Sequence, residues 1–224
     1  MSNMQTDNNS VKITHLLNYV YVTFCEDVSI ECNRRVHLLD RSLQRIKPEW
    51  MIETVPSYGT LAILTDRSKV HNEREIDYTV RSMIQDQDEE AMTEGDILEL
   101  RVEYGGEHGP DLKSVAEEKG IDEDEVVKIH TSTVYTCYML GFTPGFVYLG
   151  DVDERIRVER LKRPRTSVPA GSVGLADKQT GFYGIDSPGG WRIIGRLTVK
   201  TFDVKRQPPS LVKPGDKVKF VRAD

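Results

Sequence analysis

Polar side chains suited to acid–base chemistry and anion binding are concentrated in the Gly- and Pro-rich carboxyl half of this 224-residue chain. Arg165 lies in a Pro-Arg-Thr segment, where its guanidinium could hold a carboxylate or a phosphate through two parallel hydrogen bonds. Gln179 and Ser187 could orient an amide. Because loops on a rigid β frame commonly carry function, we predict that one cleft collects most of these groups. The full candidate set is Glu107, His130, Tyr148, Arg165, Ser172, Gln179, Ser187 and Arg196. The alternative is that many of them tie loops together by hydrogen bonds to the backbone.

The signatures of several other chemistries are missing from the sequence. It contains neither G-x-x-x-x-G-K-[ST] nor G-x-G-x-x-G, and its five histidines lack metal-ligand spacing, so no P-loop, dinucleotide site or metal site is predicted.

The Ala-Gly-Ser-Val-Gly string around Ser172 is similar to a nucleophile elbow, but no helical pattern follows it, so Ser172 is predicted to start a strand. Cys137 lies in an apolar strand pattern and is predicted to be a buried thiol. The Gly-Gly pairs at 105–106 and 189–190 could present N–H groups to an anion or simply make turns.

Charge and composition exclude further classes of function. Asp and Glu number 36 against 30 Lys and Arg, a net charge of −6. The helix–Gly–helix spacing at 111–128 is similar to that of DNA readers, but its acidic residues would face phosphates with like charge, so nucleic acid is excluded as a partner.

No apolar run approaches the ~20 residues of a membrane span. The polar start MSNMQTDNNS has no signal-peptide pattern, and the three cysteines include no C-x-x-C pair. We therefore predict a cytoplasmic protein without a disulfide framework.

The order of hydrophobic patterns in the amino half predicts an α+β domain. Val20, Val22 and Phe24 alternate as in a strand, and residues 36–46 then follow a helical period. Strands at 51–55 and 60–65, a helix around 76–84 and a strand at 97–104 follow a ferredoxin-like βαββαβ order, although the last strand could instead belong to the domain that follows. We place a disordered tail at 1–10, this domain at 11–94 and a second domain at 95–224, with the boundary in an acidic linker near Glu94.

The carboxyl half is predicted to open with two short helices and to continue as a barrel or sandwich. Asp111 is predicted to cap a helix that Gly120 ends in the left-handed conformation, and Asp122 is predicted to cap the next one. From Thr133 onward, short β-branched and aromatic runs alternate with turns, which is typical of closed or layered β structures. The predicted strands are Val134–Leu140, Ser172–Ala176, Trp191–Ile194, Leu197–Phe202 and Lys217–Val221.

Several long strings in the chain resemble one protein family. They are YGGEHGPDL at 104–112, YMLGFTPGFVYLG at 138–150, the whole of 164–196, and PP-x-L-x-x-PGD at 208–216. Together they resemble the family of the B subunit of bacterial 5-oxoprolinase (PxpB), which also contains the kinase inhibitor KipI and allophanate hydrolase subunit 1. Residues 33–36 and 53–63 resemble the first domain of that family more weakly.

The resemblance implies a cyclophilin-like β-barrel for the carboxyl half and two protein partners, the C subunit (PxpC) and a LamB/YcsF-like A subunit. With these partners, family members cleave 5-oxoproline to glutamate at the expense of ATP. ATP with Mg²⁺ is therefore expected as a co-substrate of the complex, and no tightly bound cofactor is expected. As hypotheses, we assign catalytic roles to Arg165, His130 and Gln179. Substrate binding is assigned to Glu107, Tyr148, Ser172, Ser187 and Arg196.

Two alternatives to an oxoprolinase component arise from the same resemblance. A KipI-like protein would inhibit a sensor histidine kinase through an exposed apolar or acidic patch, for which the acidic helices at 111–119 and 122–128 are candidates. A component of a urea or allophanate pathway would instead act on a different small amide. Asp177 and Lys178 stand where the family commonly has small residues, so substrate preference could differ if this turn borders the cleft.

Overall fold

The chain divides into two compact units, Met1–Thr93 and Glu94–Asp224, each with its own hydrophobic core. The structure is a computed structural model that describes residues 11–86 and 97–223. The predicted tail at 1–10 and most of the acidic linker lie outside the described residues. Within the described ranges, no helix has both the length and the apolar character that crossing a bilayer requires.

A four-stranded antiparallel sheet packed with two helices forms the first unit. The strand order is β1-β2-β4-β3. The elements are β1 (Lys12–Leu16), β2 (Tyr19–Thr23), α1 (Ile30–Ile46), β3 (Met51–Pro56), β4 (Thr60–Thr65) and α2 (Glu73–Gln85). The alternation predicted around Val20 and Val22 is confirmed, since both side chains are buried in the same core as Leu39 and Leu43 of α1.

The ferredoxin-like arrangement predicted for the amino half is not confirmed. The strand that was expected to complete it, Ile97–Tyr104, lies in the second unit. The place beside β2 is taken instead by β1, which pairs with β2 through a tight hairpin. A hairpin partner needs only a short turn, whereas a returning strand would have to follow α2.

Cys25 and Cys32 are joined by a disulfide in the structure. The sequence predicted no disulfide framework and did not anticipate this single pair. The loop that leads into α1 brings the two Cα atoms to 6.0 Å, which lies inside the range that a disulfide requires. Cys137 is a free and buried thiol, as predicted, and burial raises its pKa.

A closed seven-stranded barrel forms the second unit and confirms the predicted barrel. The strand order around it is β10-β7-β6-β13-β5-β12-β9, and β8 pairs with β11 in a separate two-stranded sheet. The strands are β5 (Ile97–Tyr104), β6 (Val134–Leu140), β7 (Val147–Gly150), β8 (Arg165–Val168), β9 (Ser172–Ala176), β10 (Gln179–Phe182), β11 (Ser187–Gly189), β12 (Arg192–Leu197) and β13 (Lys217–Arg222). Two helices, α3 (Leu112–Lys119) and α4 (Glu123–Ser132), pack against β12 and β13 respectively.

Two local predictions in the second unit need correction. The strand expected at Leu197–Phe202 is not formed: β12 ends at Leu197, and within 198–202 Phe202 makes only an isolated bridge to Ser210. Asp111 stands at the start of α3 but makes no side-chain cap hydrogen bond, because its carboxylate is engaged elsewhere. The caps predicted at Gly120, with φ of 67°, and at Asp122, which accepts from the Glu125 amide at 2.6 Å, are confirmed.

Candidate functional site

His130 lies inside the hydrophobic core of the second unit and is fully buried. The Thr180 hydroxyl donates to the Gly174 carbonyl at 3.0 Å, so its oxygen accepts from His130 Nε2–H at 2.8 Å. His130 Nδ1 then accepts from the Tyr104 hydroxyl at 2.7 Å, which fixes the neutral tautomer. Burial lowers the pKa of His130 to about 3. This position favours a structural role, in which the imidazole links α4 to the barrel, over the predicted catalytic one.

Arg165 and Asp111 form a partly buried ion pair. Arg165 Nη2 donates to Asp111 Oδ1 at 2.8 Å, and the backbone amide of Ile193 donates to Asp111 Oδ2 at 2.7 Å. The carboxylate side chain is 10% exposed and the guanidinium side chain 32%. The pair therefore ties β8 to the start of α3 and to β12. Arg165 Nη1 is buried and has no hydrogen-bond partner among the described residues, so half of the predicted fork is not used by the protein.

A cleft on the outer face of the barrel, here called the polar cleft, has a volume of about 530 Å³. Its floor comes from β5 and β12, where Arg196 lies directly opposite Glu103 in the antiparallel register. Ser172 of β9 lies opposite Arg196 on the other side. The loop after β5 adds His108, and the segment after β12 adds Lys200. The cleft therefore combines cationic, anionic and imidazole side chains on adjacent strands and their loops.

The charged groups of the polar cleft are held in part by their neighbours. His108 Nε2 lies 3.2 Å from Glu103 Oε2 and 3.8 Å from Glu107 Oε1. Arg196 Nε donates to the Ala170 carbonyl at 3.2 Å, which holds the guanidinium against the start of β9. Lys200 forms a largely exposed pair with Asp203. Arg196 is thus the anchored cation of this cleft.

A second depression, here called the aromatic pocket, has a volume of about 280 Å³. Phe146 and Trp191 meet edge to face at 5.3 Å between ring centroids, and Tyr148 packs against both. Burial raises the pKa of Tyr148, which keeps its hydroxyl neutral. Arg160 is the charged group of the lining. This pocket suits an apolar or ring-shaped group rather than a small anion.

The structure does not gather the predicted site residues into one cleft. Arg196 lines the polar cleft and the exposed Glu107 borders it through His108, whereas Tyr148 lines the aromatic pocket. Of the remaining predicted residues, His130 lies on α4 and the others lie in the barrel strands or the small sheet. Ser172 and Ser187 are buried, Gln179 begins β10 opposite Gly150, and Arg165 is paired with Asp111.

Sequence reasoning missed Glu103 and Lys200 and did not single out His108. The signal available for Glu103 was the alternation of β5, which places it between the buried Val102 and the half-buried Tyr104. Its pairing with Arg196 depends on a contact between residues more than ninety positions apart, which no local pattern shows.

The fold and the family comparisons agree on the class of this protein. Residues 16–212 match the family model described as the carboxyltransferase domain, subdomains C and D. The 5-oxoprolinase B subunit of Bacillus subtilis (strain 168) is 38% identical over 210 residues, which are 90% of this chain and 88% of that protein. The chain belongs to the family of 5-oxoprolinase B subunits.

Solved structures extend the likeness to larger proteins. The crystal structure of TTHA0988 matches with a TM-score of 0.82 at 37% identity and covers 92% of this chain but 40% of that one. The urea amidolyase of Kluyveromyces lactis matches with a TM-score of 0.73 at 18% identity, over 98% of this chain and 15% of that one. At that identity the second likeness shows the fold alone.

Proposed function

We propose that this chain is the B component of an ATP-dependent 5-oxoprolinase, which converts 5-oxo-L-proline, ATP and water to L-glutamate together with an A component and a C component. The proposal is carried by the 38% identity to the Bacillus subtilis B subunit across 90% of this chain. ATP with Mg²⁺ is the co-substrate of the complex in this proposal, and the complex works in the cytoplasm. The chain alone is expected to be inactive.

The polar cleft offers groups that such a reaction requires. A lactam is a stable amide, and its hydrolysis becomes easier when its carbonyl oxygen is converted into a phosphorylated leaving group. Charge that develops in that step is stabilised by fixed cations and N–H donors. Arg196 is the fixed cation that the polar cleft supplies for an anionic group of the substrate. Arg165 lies outside this cleft and is paired with Asp111.

Reconstitution tests the proposal directly. The purified chain is mixed with the candidate A and C components, and glutamate release from 5-oxoproline is measured with and without ATP. We expect ATP-dependent release that requires all three proteins. Release no greater than that of the other two components alone would refute the proposal. In the active complex, Arg165→Ala should abolish turnover while the association with the C component persists, and unchanged turnover would remove Arg165 from the reaction.

The charges on the acidic helices do not favour the alternative of a kinase inhibitor. Glu118 of α3 is paired with Arg192 of β12, and Asp124 of α4 is paired with Arg222 of β13 at 2.8 Å. Glu125 lies 3.5 Å from Lys128. These carboxylates are engaged by cations of the same unit, so they make a weak acidic docking surface. The urea-pathway alternative has only the fold in its favour, because the likeness to urea amidolyase is at 18% identity.

A further inference from the structure

The polar cleft places a cation directly beside an anion without pairing them. Arg196 and Glu103 are opposite residues on β12 and β5, and such residues have Cβ atoms about 5 Å apart. No ion pair within 4.0 Å joins them in the described part of the chain, although both side chains line the cleft. Opposite charges this close would ordinarily meet, so the space between them is suited to a ligand that satisfies both.

Each member of this pair is held by a different neighbour and keeps free bonding capacity. Arg196 uses Nε for the Ala170 carbonyl, and that is the one hydrogen bond of its guanidinium among residues 97–223, so both terminal amino groups remain for a ligand. Glu103 is positioned by His108 at 3.2 Å through one carboxylate oxygen. The other oxygen of Glu103 remains an acceptor.

From this juxtaposition we propose that the polar cleft binds a small lactam that carries a carboxylate on the carbon next to the ring nitrogen. Arg196 holds the carboxylate through its terminal amino groups, and Glu103 accepts the hydrogen bond of the lactam N–H. In such a ligand the carboxylate is attached to the ring carbon next to the nitrogen that carries the N–H. The two groups are therefore close enough to reach the Arg196 guanidinium and the Glu103 carboxylate, which lie on opposite residues. His108 is a positioning residue that orients Glu103. This inference rests on the proposed function, because 5-oxoproline is the ligand of this class that the proposed reaction consumes.

Charge in the cleft argues against a free phosphate or another dianion as the ligand. Glu103 and Glu107 both lie within 4 Å of His108, so a doubly charged anion would approach two carboxylates. A ligand with one carboxylate and an adjacent N–H group carries only a single negative charge. Its N–H can also donate a hydrogen bond to one of the two glutamate side chains. The volume of about 530 Å³ leaves room beside such a ligand for a group supplied by another protein of the complex.

Calorimetric titration with defined ligands tests the proposal on the full chain, alone and mixed with the C component. The probes are 5-oxo-L-proline, pyrrolidin-2-one, which lacks the carboxylate, and N-methyl-5-oxo-L-proline, which lacks the N–H. We expect 5-oxoproline to bind at least tenfold more tightly than either analogue. Arg196→Gln should lower the affinity for 5-oxoproline at least tenfold, whereas the matched change Arg163→Gln, at an exposed arginine outside the cleft, should alter it less than twofold.

The variant Glu103→Leu, which removes the acceptor, separates the N–H contact from the carboxylate contact. It should abolish the preference for 5-oxoproline over the N-methyl analogue while the preference over pyrrolidin-2-one persists. Circular dichroism of each variant confirms that it is folded. Absence of 5-oxoproline binding both alone and with the C component would overturn the site, as would equal affinities in the parent and in Arg196→Gln. An active reconstituted complex with unchanged KM in Arg196→Gln would overturn this site but leave the proposed function standing. Binding of 5-oxoproline by the chain, without activity of the reconstituted complex, would leave this site standing but overturn the proposed function.

Discussion

Acidification is expected to destabilise the barrel unit through His130. Burial lowers the pKa of this imidazole from its ordinary 6.5 to about 3 in the folded protein. The unfolded chain therefore binds one proton more than the folded chain between these two values. The stabilisation is fully present above pH 6.5 and is lost as the pH falls toward 3. One proton corresponds to about 1.4 kcal/mol per pH unit within the window, so the step from pH 7 to pH 5 removes roughly 2 kcal/mol.

Urea unfolding at pH 7 and pH 5 measures this loss, with the fluorescence of the buried Trp191 as the signal from the barrel. A Trp50→Phe background removes the other tryptophan, which lies in the first unit. The variant His130→Gln keeps a polar group but cannot titrate, so contributions from all other groups cancel in the comparison. We expect the stability difference between the two pH values to be about 2 kcal/mol larger with His130 than with Gln. Equal differences, or an NMR titration that shows His130 protonated by pH 5 in the folded protein, would refute the assignment of a buried neutral imidazole.

Two further predictions concern the packing that surrounds the site. Thr180→Val leaves the Nε2–H of His130 without an acceptor and should lower the free energy of unfolding by about 1–3 kcal/mol, whereas Thr166→Val at an exposed position of β8 should change it by less than about 0.5 kcal/mol. Gly109→Ala would place a Cβ atom in the backbone of Ile194, and it should cost about 1–3 kcal/mol in urea melts. Gly190→Ala meets nothing closer than 3.6 Å and is the matched control, so an equal loss in both glycine variants would contradict the close-approach argument.

The elements that could be predicted correctly from the sequence are those whose side chains alternate strongly between core and solvent. Val20 and Val22 made β2 recognisable because one face of that strand is buried. The neighbouring β1 was missed because it lies at the sheet edge, where its residues are only partly or not at all buried. The unit to which the strand at 97–104 belongs could not be predicted from local sequence. Its parallel pairing with β13 joins residues about 120 positions apart.

The candidate site was harder to predict because polarity does not reveal burial. His130 and Arg196 are both polar residues in regular elements, yet one is fully buried in the core and the other lines an outer cleft. Cys25 and Cys32 show the same limit, since only the path of the loop before α1 brings them together. Strand register and the path of a loop are set by packing between residues that are far apart in the chain. Local patterns in a single sequence do not show those contacts.

The alternation that fills the barrel also determines where its chemistry can lie. Along β5 the inward residues Leu100 and Val102 are buried in the core, so Glu103 between Val102 and Tyr104 points outward. Along β12 the same rule sends Leu197 inward and Arg196 outward. In the register of β5 and β12 these two outward residues lie directly opposite each other. The strand pairing that completes the barrel thus creates the Arg196–Glu103 juxtaposition, and loop changes can alter what surrounds a ligand there without removing its two anchors.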